Sequence, residues 1–103
     1  MALQGDDADD VIIGTPDRDL IRGGGGNDRI RGLGDDDCLF GQAGRDRVKG
    51  GDGVDVIRGG EGNDTITGGN SRDTIKCGPG VDTVTAQRRD NIKGDCENVN
   101  FVD

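Results

Sequence analysis

Gly50-Gly51-Asp52-Gly53-Val54-Asp55-Val56-Ile57-Arg58 is followed at once by Gly59-Gly60-Glu61-Gly62-Asn63-Asp64-Thr65-Ile66-Thr67. The two nonapeptides share glycine at positions one, two and four, Asp at position six and Ile at position eight. Outward from this pair the register does not slip. Asp recurs every nine residues, at Asp10, Asp19, Asp28, Asp37, Asp46, Asp55, Asp64, Asp73 and Asp82. Two residues after each comes an aliphatic: Ile12, Ile21, Ile30, Leu39, Val48, Ile57, Ile66, Ile75 and Val84. Glycine opens every unit from Gly5 to Gly68, and Cys77 then takes that place. A fixed period of this kind is one small unit stacked many times.

The unit reads as a turn followed by a three-residue strand, G-x-x-x-x-D-x-U-x, with U aliphatic. In the strand, U points inward and its neighbours outward. In the turn, glycine allows backbone carbonyls to converge and Asp supplies a hard anionic oxygen. Two units per coil would bring units n and n+2 into a stack, with strands about 4.8 Å apart. Stacked carboxylates at that spacing repel by roughly 3–4 kcal/mol per pair at an effective dielectric constant near 20. Calcium takes about 6–8 oxygens from carboxylates and carbonyls. One turn cannot supply them, whereas two stacked turns can. A metal-free solenoid would not need Asp at every turn facing its own copy, and a disordered linker has no reason to keep an aliphatic in every unit.

The copies differ in quality. Gly23–Asp28, Gly50–Asp55 and Gly59–Asp64 carry the full G-G-x-G-x-D, and Cys77–Asp82 departs only at its first residue. Elsewhere Asp6, Ala8, Thr15, Asp17, Leu33, Asp35, Gln42 and Ser71 replace glycines. A further unit, Ala86–Lys93, loses one residue but keeps Asp90 and Ile92. At position four the odd units hold Gly26, Gly44, Gly62 and Gly80, with Ala8 the exception. The even units hold Asp17, Asp35, Gly53 and Ser71. The odd row is therefore expected to form the more regular sites, with Asp17 and Asp35 read either as turn residues only or as ligands that recruit extra cations.

This chain resembles the repeats-in-toxin (RTX) family of calcium-binding nonapeptide repeats, G-G-x-G-x-D-x-U-x, over residues 5 to about 93. The resemblance implies an all-β fold: a right-handed parallel β-roll, or β-solenoid, of nine to ten units with two per coil. It implies that each calcium is held by turn carbonyls and position-six Asp residues of adjacent coils. Carried over, the ligands are the nine Asp residues above together with the glycine turns Gly23, Gly24, Gly26, Gly41, Gly44, Gly50, Gly51, Gly53, Gly59, Gly60, Gly62, Gly78 and Gly80. About six ions are expected, within a range of four to eight, in two rows. The closing stretch Cys77-Gly78-Pro79-Gly80 and Asp95-Cys96-Glu97 looks like that of some secreted actinobacterial members.

Composition agrees. The chain has 103 residues, 29% of them hydrophobic and 2% aromatic, with 21 glycines and a formal net charge of −8. So small an apolar fraction leaves little core to set against chain entropy. Metal binding that exists only in the folded state would add the missing stabilisation. The acidic balance argues against nucleic acid, and no apolar stretch approaches the ~20 residues of a membrane span. There is no His, and the one Ser is Ser71, so no catalytic constellation is legible and the chain is read as a non-enzyme. Residues 1–4 are read as a leader, 5–93 as the roll and 94–103 as a C-terminal cap built on Val99, Phe101 and Val102.

Cysteine use points to an oxidising, extracellular setting. Cys77 opens its unit, Gly94 stands one coil later, and Cys96 lies within reach, so a Cys77–Cys96 disulfide is expected. The alternative is a pair of buried thiols. Cys38 is left as an unpaired thiol. The outward strand positions carry Arg29, Arg31, Arg47 and Lys49 on the odd face, then Thr65, Thr67, Thr83 and Thr85. Read blandly, the basic positions form a solvated face. Read sharply, they hold an acidic polysaccharide, and the paired Thr-x-Thr strands leave ice binding as a lesser reading. The expected state is a secreted monomer that folds on calcium and serves as a folding switch, spacer or stabiliser of a secreted protein.

Overall fold

The computed structural model describes residues 2–87, 89–93 and 96–102. Twelve short strands follow one another with no helix among the described residues: β1 (Ala2–Gln4), β2 (Val11–Ile13), β3 (Leu20–Arg22), β4 (Arg29–Arg31), β5 (Cys38–Phe40), β6 (Arg47–Lys49), β7 (Val56–Arg58), β8 (Thr65–Thr67), β9 (Thr74–Lys76), β10 (Thr83–Ala86), β11 (Asn91–Lys93) and β12 (Asn98–Phe101). Odd-numbered strands form one parallel sheet, β1-β3-β5-β7-β9-β11, and even-numbered strands the other, β12-β10-β8-β6-β4-β2. This is a β-solenoid. The chain alternates between the two sheets, and each pair of units closes one coil.

The register follows the nonapeptide. Arg29, Ile30 and Arg31 lie beside Arg47, Val48 and Lys49, eighteen residues on. Turns are stitched to the next coil by backbone bonds, such as Gly23 N–H to the Phe40 carbonyl (2.8 Å) and Arg47 N–H to the Asp28 carbonyl (2.8 Å). The central aliphatic of each inner strand points into the gap between the sheets, joined there by Cys77 and by Ala86 of β10. Ile21, Ile30, Leu39, Val48, Ile57, Ile66, Ile75 and Val84 are buried and form one continuous core. Each contributes about 1.5–3 kcal/mol by leaving water.

Two boundaries differ from the reading above. Ala2–Gln4, set apart as a leader, form β1 and pair with Leu20–Arg22. The cause is register: Leu3 stands nine residues before Ile12 and fills the aliphatic position, although no Asp precedes it. At the other end, Asn98–Phe101 continue the second sheet, with Val99 opposite Val84. Val99 packs against the core, whereas Phe101 and Val102 are largely exposed. The tail therefore closes the roll by adding a strand rather than by burying an apolar cluster. Cys77 and Cys96 are disulfide-bonded, with their Cα atoms 5.2 Å apart, and Cys38 is free and exposed. Gly94 and Asp95, the first two residues read as the C-terminal cap, lie outside the described residues.

Candidate metal centre

Every inner turn ends in a buried Asp that makes the same bond. Asp28 N–H donates to Asp46 Oδ1 (2.9 Å), Asp46 N–H to Asp64 Oδ1 (2.9 Å) and Asp64 N–H to Asp82 Oδ1 (2.8 Å). The even row repeats this from Asp19 N–H to Asp37 Oδ1 (2.8 Å), and from Asp37 to Asp55 and Asp55 to Asp73. One carboxylate oxygen is thus spent on joining coils. The other is not. Oδ2 of Asp28, Asp37, Asp46, Asp55, Asp64, Asp73 and Asp82 is buried and accepts no hydrogen bond. A buried anionic oxygen without a donor is costly, and here the same omission recurs in consecutive turns.

Position two of the turn decides whether Oδ2 is left open. In three turns its N–H folds back onto the carboxylate: Asp6 to Asp10 Oδ2 (2.9 Å), Thr15 to Asp19 Oδ2 (2.7 Å) and Gln87 to Asp90 Oδ2 (2.7 Å). In the turns with an open Oδ2, position two has positive φ: Gly24, Leu33, Gln42, Gly51, Gly60, Gly69 and Gly78. Position four does the same at Gly26, Asp35, Gly44, Gly53, Gly62, Ser71 and Gly80, whereas Ala8 and Asp17 do not. The correspondence is one to one. Left-handed backbone at both positions turns the N–H groups away from the Asp and leaves its second oxygen open.

Carbonyls complete the donor set. At Gly59 an added Cβ would lie 2.7 Å from Asp64 Oδ2 and 2.8 Å from the Cys77 carbonyl oxygen of the next coil. At Gly41 the corresponding atoms are Asp46 Oδ2 (2.7 Å) and the Gly59 carbonyl (2.8 Å). At Gly41 and Gly59 any side chain would meet both oxygens, so glycine is required there. Position-two carbonyls point forward along the stack, that of Gly60 coming within 2.7 Å of where a Cβ on Gly78 would sit. No group of three or more His, Cys, Asp or Glu side chains gathers among the described residues. A cation here would be held by carboxylates supplemented with main-chain carbonyls. An all-oxygen set of that kind fits calcium, and it fits softer metals poorly.

Of the nine Asp residues read from the repeat, Asp28, Asp37, Asp46, Asp55, Asp64, Asp73 and Asp82 present an open oxygen. Asp10 and Asp19 have Oδ2 tied to their own turns, and Asp19 also accepts from Thr15 Oγ1 (2.9 Å). The rows differ in backbone cost. Even turns place Leu33, Asp35 and Ser71 in the left-handed region, whereas odd turns place only Gln42 there.

Burial shapes the electrostatics. Loss of water pushes the carboxyls of Asp37 up to about 6, of Asp46 and Asp73 to about 7, and of Asp55 and Asp64 to about 8. The hydrogen bond from the preceding coil's N–H works against this rise, and like charges stacked along the row add to it, as Asp46 and Asp82 do at Asp64. Asp28 and Asp82 are raised for the same reason. At Asp19 burial also pushes upward, but the Thr15 N–H and hydroxyl overcome it and the carboxyl titrates below its usual range. A cation among these oxygens would reverse the rise by favouring the ionised form.

The repeat reading missed a second ladder. At position five, the side chain of Asp9 accepts from Asn27 N–H (2.7 Å), Asn27 from Arg45 N–H (2.8 Å), Asp36 from Val54 N–H (2.7 Å) and Asn63 from Val81 N–H (2.8 Å). Its signal is an Asx at position five with a different residue type one coil later. It was obscured by the abundance of Asp.

A family model described as the RTX calcium-binding nonapeptide repeat (4 copies) matches residues 4–39, 13–48, 40–75 and 49–84. No curated protein and no solved structure gives a significant match.

Proposed function

The chain belongs to the RTX calcium-binding nonapeptide repeat family, and from that premise we propose that it is a module of a secreted protein whose folding is switched by calcium. The observation that carries this reading is the run of buried Asp Oδ2 atoms without a donor. The carboxylates of Asp28, Asp37, Asp46, Asp55, Asp64, Asp73 and Asp82 and the turn carbonyls would hold the ions, about six in number within a range of four to eight. Bound calcium supplies positive charge where the turns have concentrated carboxylate. The residues of the chain do the rest. Left-handed turns expose the oxygens, position-one glycines let adjacent coils approach, and the aliphatic column seals the interior. At low calcium the acidic turns repel, and the thin core is insufficient to hold the coils. At the roughly millimolar calcium that weak extracellular modules are tuned to, the coils close. A disulfide also persists in that compartment.

The test is circular dichroism of the oxidised chain with and without calcium, beside Asp64→Ala and Asp10→Ala. Calcium should raise the β signal. Asp64→Ala should weaken the response at least about tenfold, as loss of a buried charged ligand costs more than 1.4 kcal/mol. Asp10→Ala should change it little. An undiminished β signal after exhaustive chelation would overturn the reading. Magnesium should substitute poorly, since it demands stricter geometry and dehydrates reluctantly.

A second reading is favoured by the distribution of charge. Among the described residues no strand contains Asp or Glu, whereas Arg22, Arg29, Arg31, Arg47, Lys49, Arg58, Lys76 and Lys93 all lie on strands. Arg29, Arg31, Arg47 and Lys49 line a shallow depression on the even-numbered sheet, with Thr65 and Thr67 beside them. On the other sheet Phe40 is flanked by Arg22 and Arg58, their guanidinium carbons 5.9 and 5.7 Å from its ring centre. Once the turns are neutralised, these faces would dominate the field of the molecule, which suits an acidic polysaccharide. Binding in calcium that survives Arg29→Ala/Arg47→Ala unchanged would remove the first face from consideration.

A further inference from the structure

Cys77 occupies a place that glycine holds in the eight preceding units. Its carbonyl oxygen and Asp64 Oδ2 close on the same glycine, Gly59, at 2.8 and 2.7 Å from an added Cβ. Its side chain is fully buried within the core and bonded to Cys96, which is only half-buried. Cys96 lies nineteen residues from Cys77, one more than the eighteen-residue step that separates stacked Asp residues. One residue therefore offers a main-chain oxygen to the last open turn pair of the odd row while its side chain bonds the next coil. Along the rest of the row, coil-to-coil ties at this position are main-chain hydrogen bonds, such as Gly23 N–H to the Phe40 carbonyl and Gly41 N–H to the Arg58 carbonyl.

We infer that the Cys77–Cys96 disulfide is a redox-sensitive positioning element of the calcium site at Asp64, so that calcium shields the disulfide from reduction and the disulfide raises calcium affinity. This rests on the calcium reading above. The chemistry sets the direction. An external dithiol reduces the bond by thiolate attack on a sulfur. Cys96 Sγ is the more accessible one, so the mixed disulfide forms there and Cys77 leaves as a thiolate. The second thiol of the reductant then attacks the mixed disulfide, leaving as a cyclic disulfide, and both cysteines take up protons. A thiolate leaving into an apolar interior is disfavoured. Reduction must therefore wait for the last coil to open, and ions that hold this coil against its neighbour slow that opening. Linkage makes the effect reciprocal: whatever calcium adds to the stability of the disulfide-bonded form, the disulfide adds to calcium binding.

The experiment uses the full chain with Cys38→Ser, which removes the exposed thiol as a competing nucleophile. Its disulfide is reduced with dithiothreitol, in saturating calcium and in calcium-free buffer, and thiols are trapped by alkylation and counted by mass. Calcium should slow reduction, and the calcium midpoint of the fully reduced chain should rise about tenfold, within the range over which linked sites commonly couple. Asp64→Asn should lose most of the protection, whereas Asp10→Asn should keep it. Equal reduction rates with and without calcium, in a chain whose β signal still responds to calcium, would overturn the inference alone. An oxidised chain with no calcium response would overturn the calcium reading and this inference with it.

Discussion

Leu33 holds a backbone φ of 73°, in the region that costs a side-chain-bearing residue about 1–2 kcal/mol. It is partly exposed, so little packing repays that cost. Leu33→Gly should therefore stabilise the calcium-bound chain by about 1 kcal/mol, which for a domain of this size is a rise in Tm of about 4–8 °C. A melt showing no gain or a loss would mean that the Leu33 side chain is held by contacts that outweigh its backbone. At this scale the site was only half legible. Asp at position six and glycine at position one announce themselves, because each must recur for the coils to stack. The state of position two does not. Gln42 has positive φ and leaves Asp46 open, whereas Gln87 folds back onto Asp90. The difference lies in the neighbours. Gln42 Oε1 accepts the Gly24 N–H of the preceding coil at 2.9 Å, which favours its open conformation. Gln87 belongs to a unit one residue short.

The strands were the most legible elements, since x-U-x with an aliphatic centre predicts β2 to β11 from spacing alone. The two terminal strands were missed because both lack the Asp that marks the unit, yet Leu3 and Val99 occupy the aliphatic position and pack against the core. In these strands the hydrophobic register, not the carboxylate, determines membership of the sheet. It follows that Val99→Asp should cost about 3 kcal/mol, by placing a charge opposite buried Val84. Phe101→Asp, at a residue about half exposed, should cost clearly less. Urea titration of both variants in calcium checks the order, and equal midpoints would mean that the tail is not seated as a strand. The cation–π stack at Phe40 was invisible because its partners Arg22 and Arg58 lie eighteen residues away on either side and meet only through the register of β3, β5 and β7.

For the whole molecule, the raised carboxyls fix the sign of the pH response. The folded chain without calcium holds protons on Asp37, Asp46, Asp55, Asp64 and Asp73 up to about 6, 7, 8, 8 and 7, whereas the unfolded chain releases them near 3.8. The unfolded state therefore binds fewer protons between these limits, and stability must fall as pH rises through that window. In calcium-free buffer the β signal should be higher at about pH 5 than at about pH 8, where the chain is open. Calcium affinity should move the other way, because protons compete for the same oxygens. A calcium-free β signal that rises toward pH 8 would contradict the burial of these groups. The alternation of two unlike sheets also makes the molecule arithmetically fussy about its own length. An in-frame duplication of eighteen residues, such as 41–58, inserts a whole coil and leaves every column continuous. A duplication of nine would send each downstream strand to the opposite sheet. The aliphatic interior would survive, since both sheets supply the same residue there, but Phe40 would lose Arg58 and the two faces would exchange their coats halfway along. The roll thus reads its sequence in nines but keeps each coat on its own face only when it grows in eighteens, and a pair of duplication variants compared for Tm and for polysaccharide binding would separate the two periods.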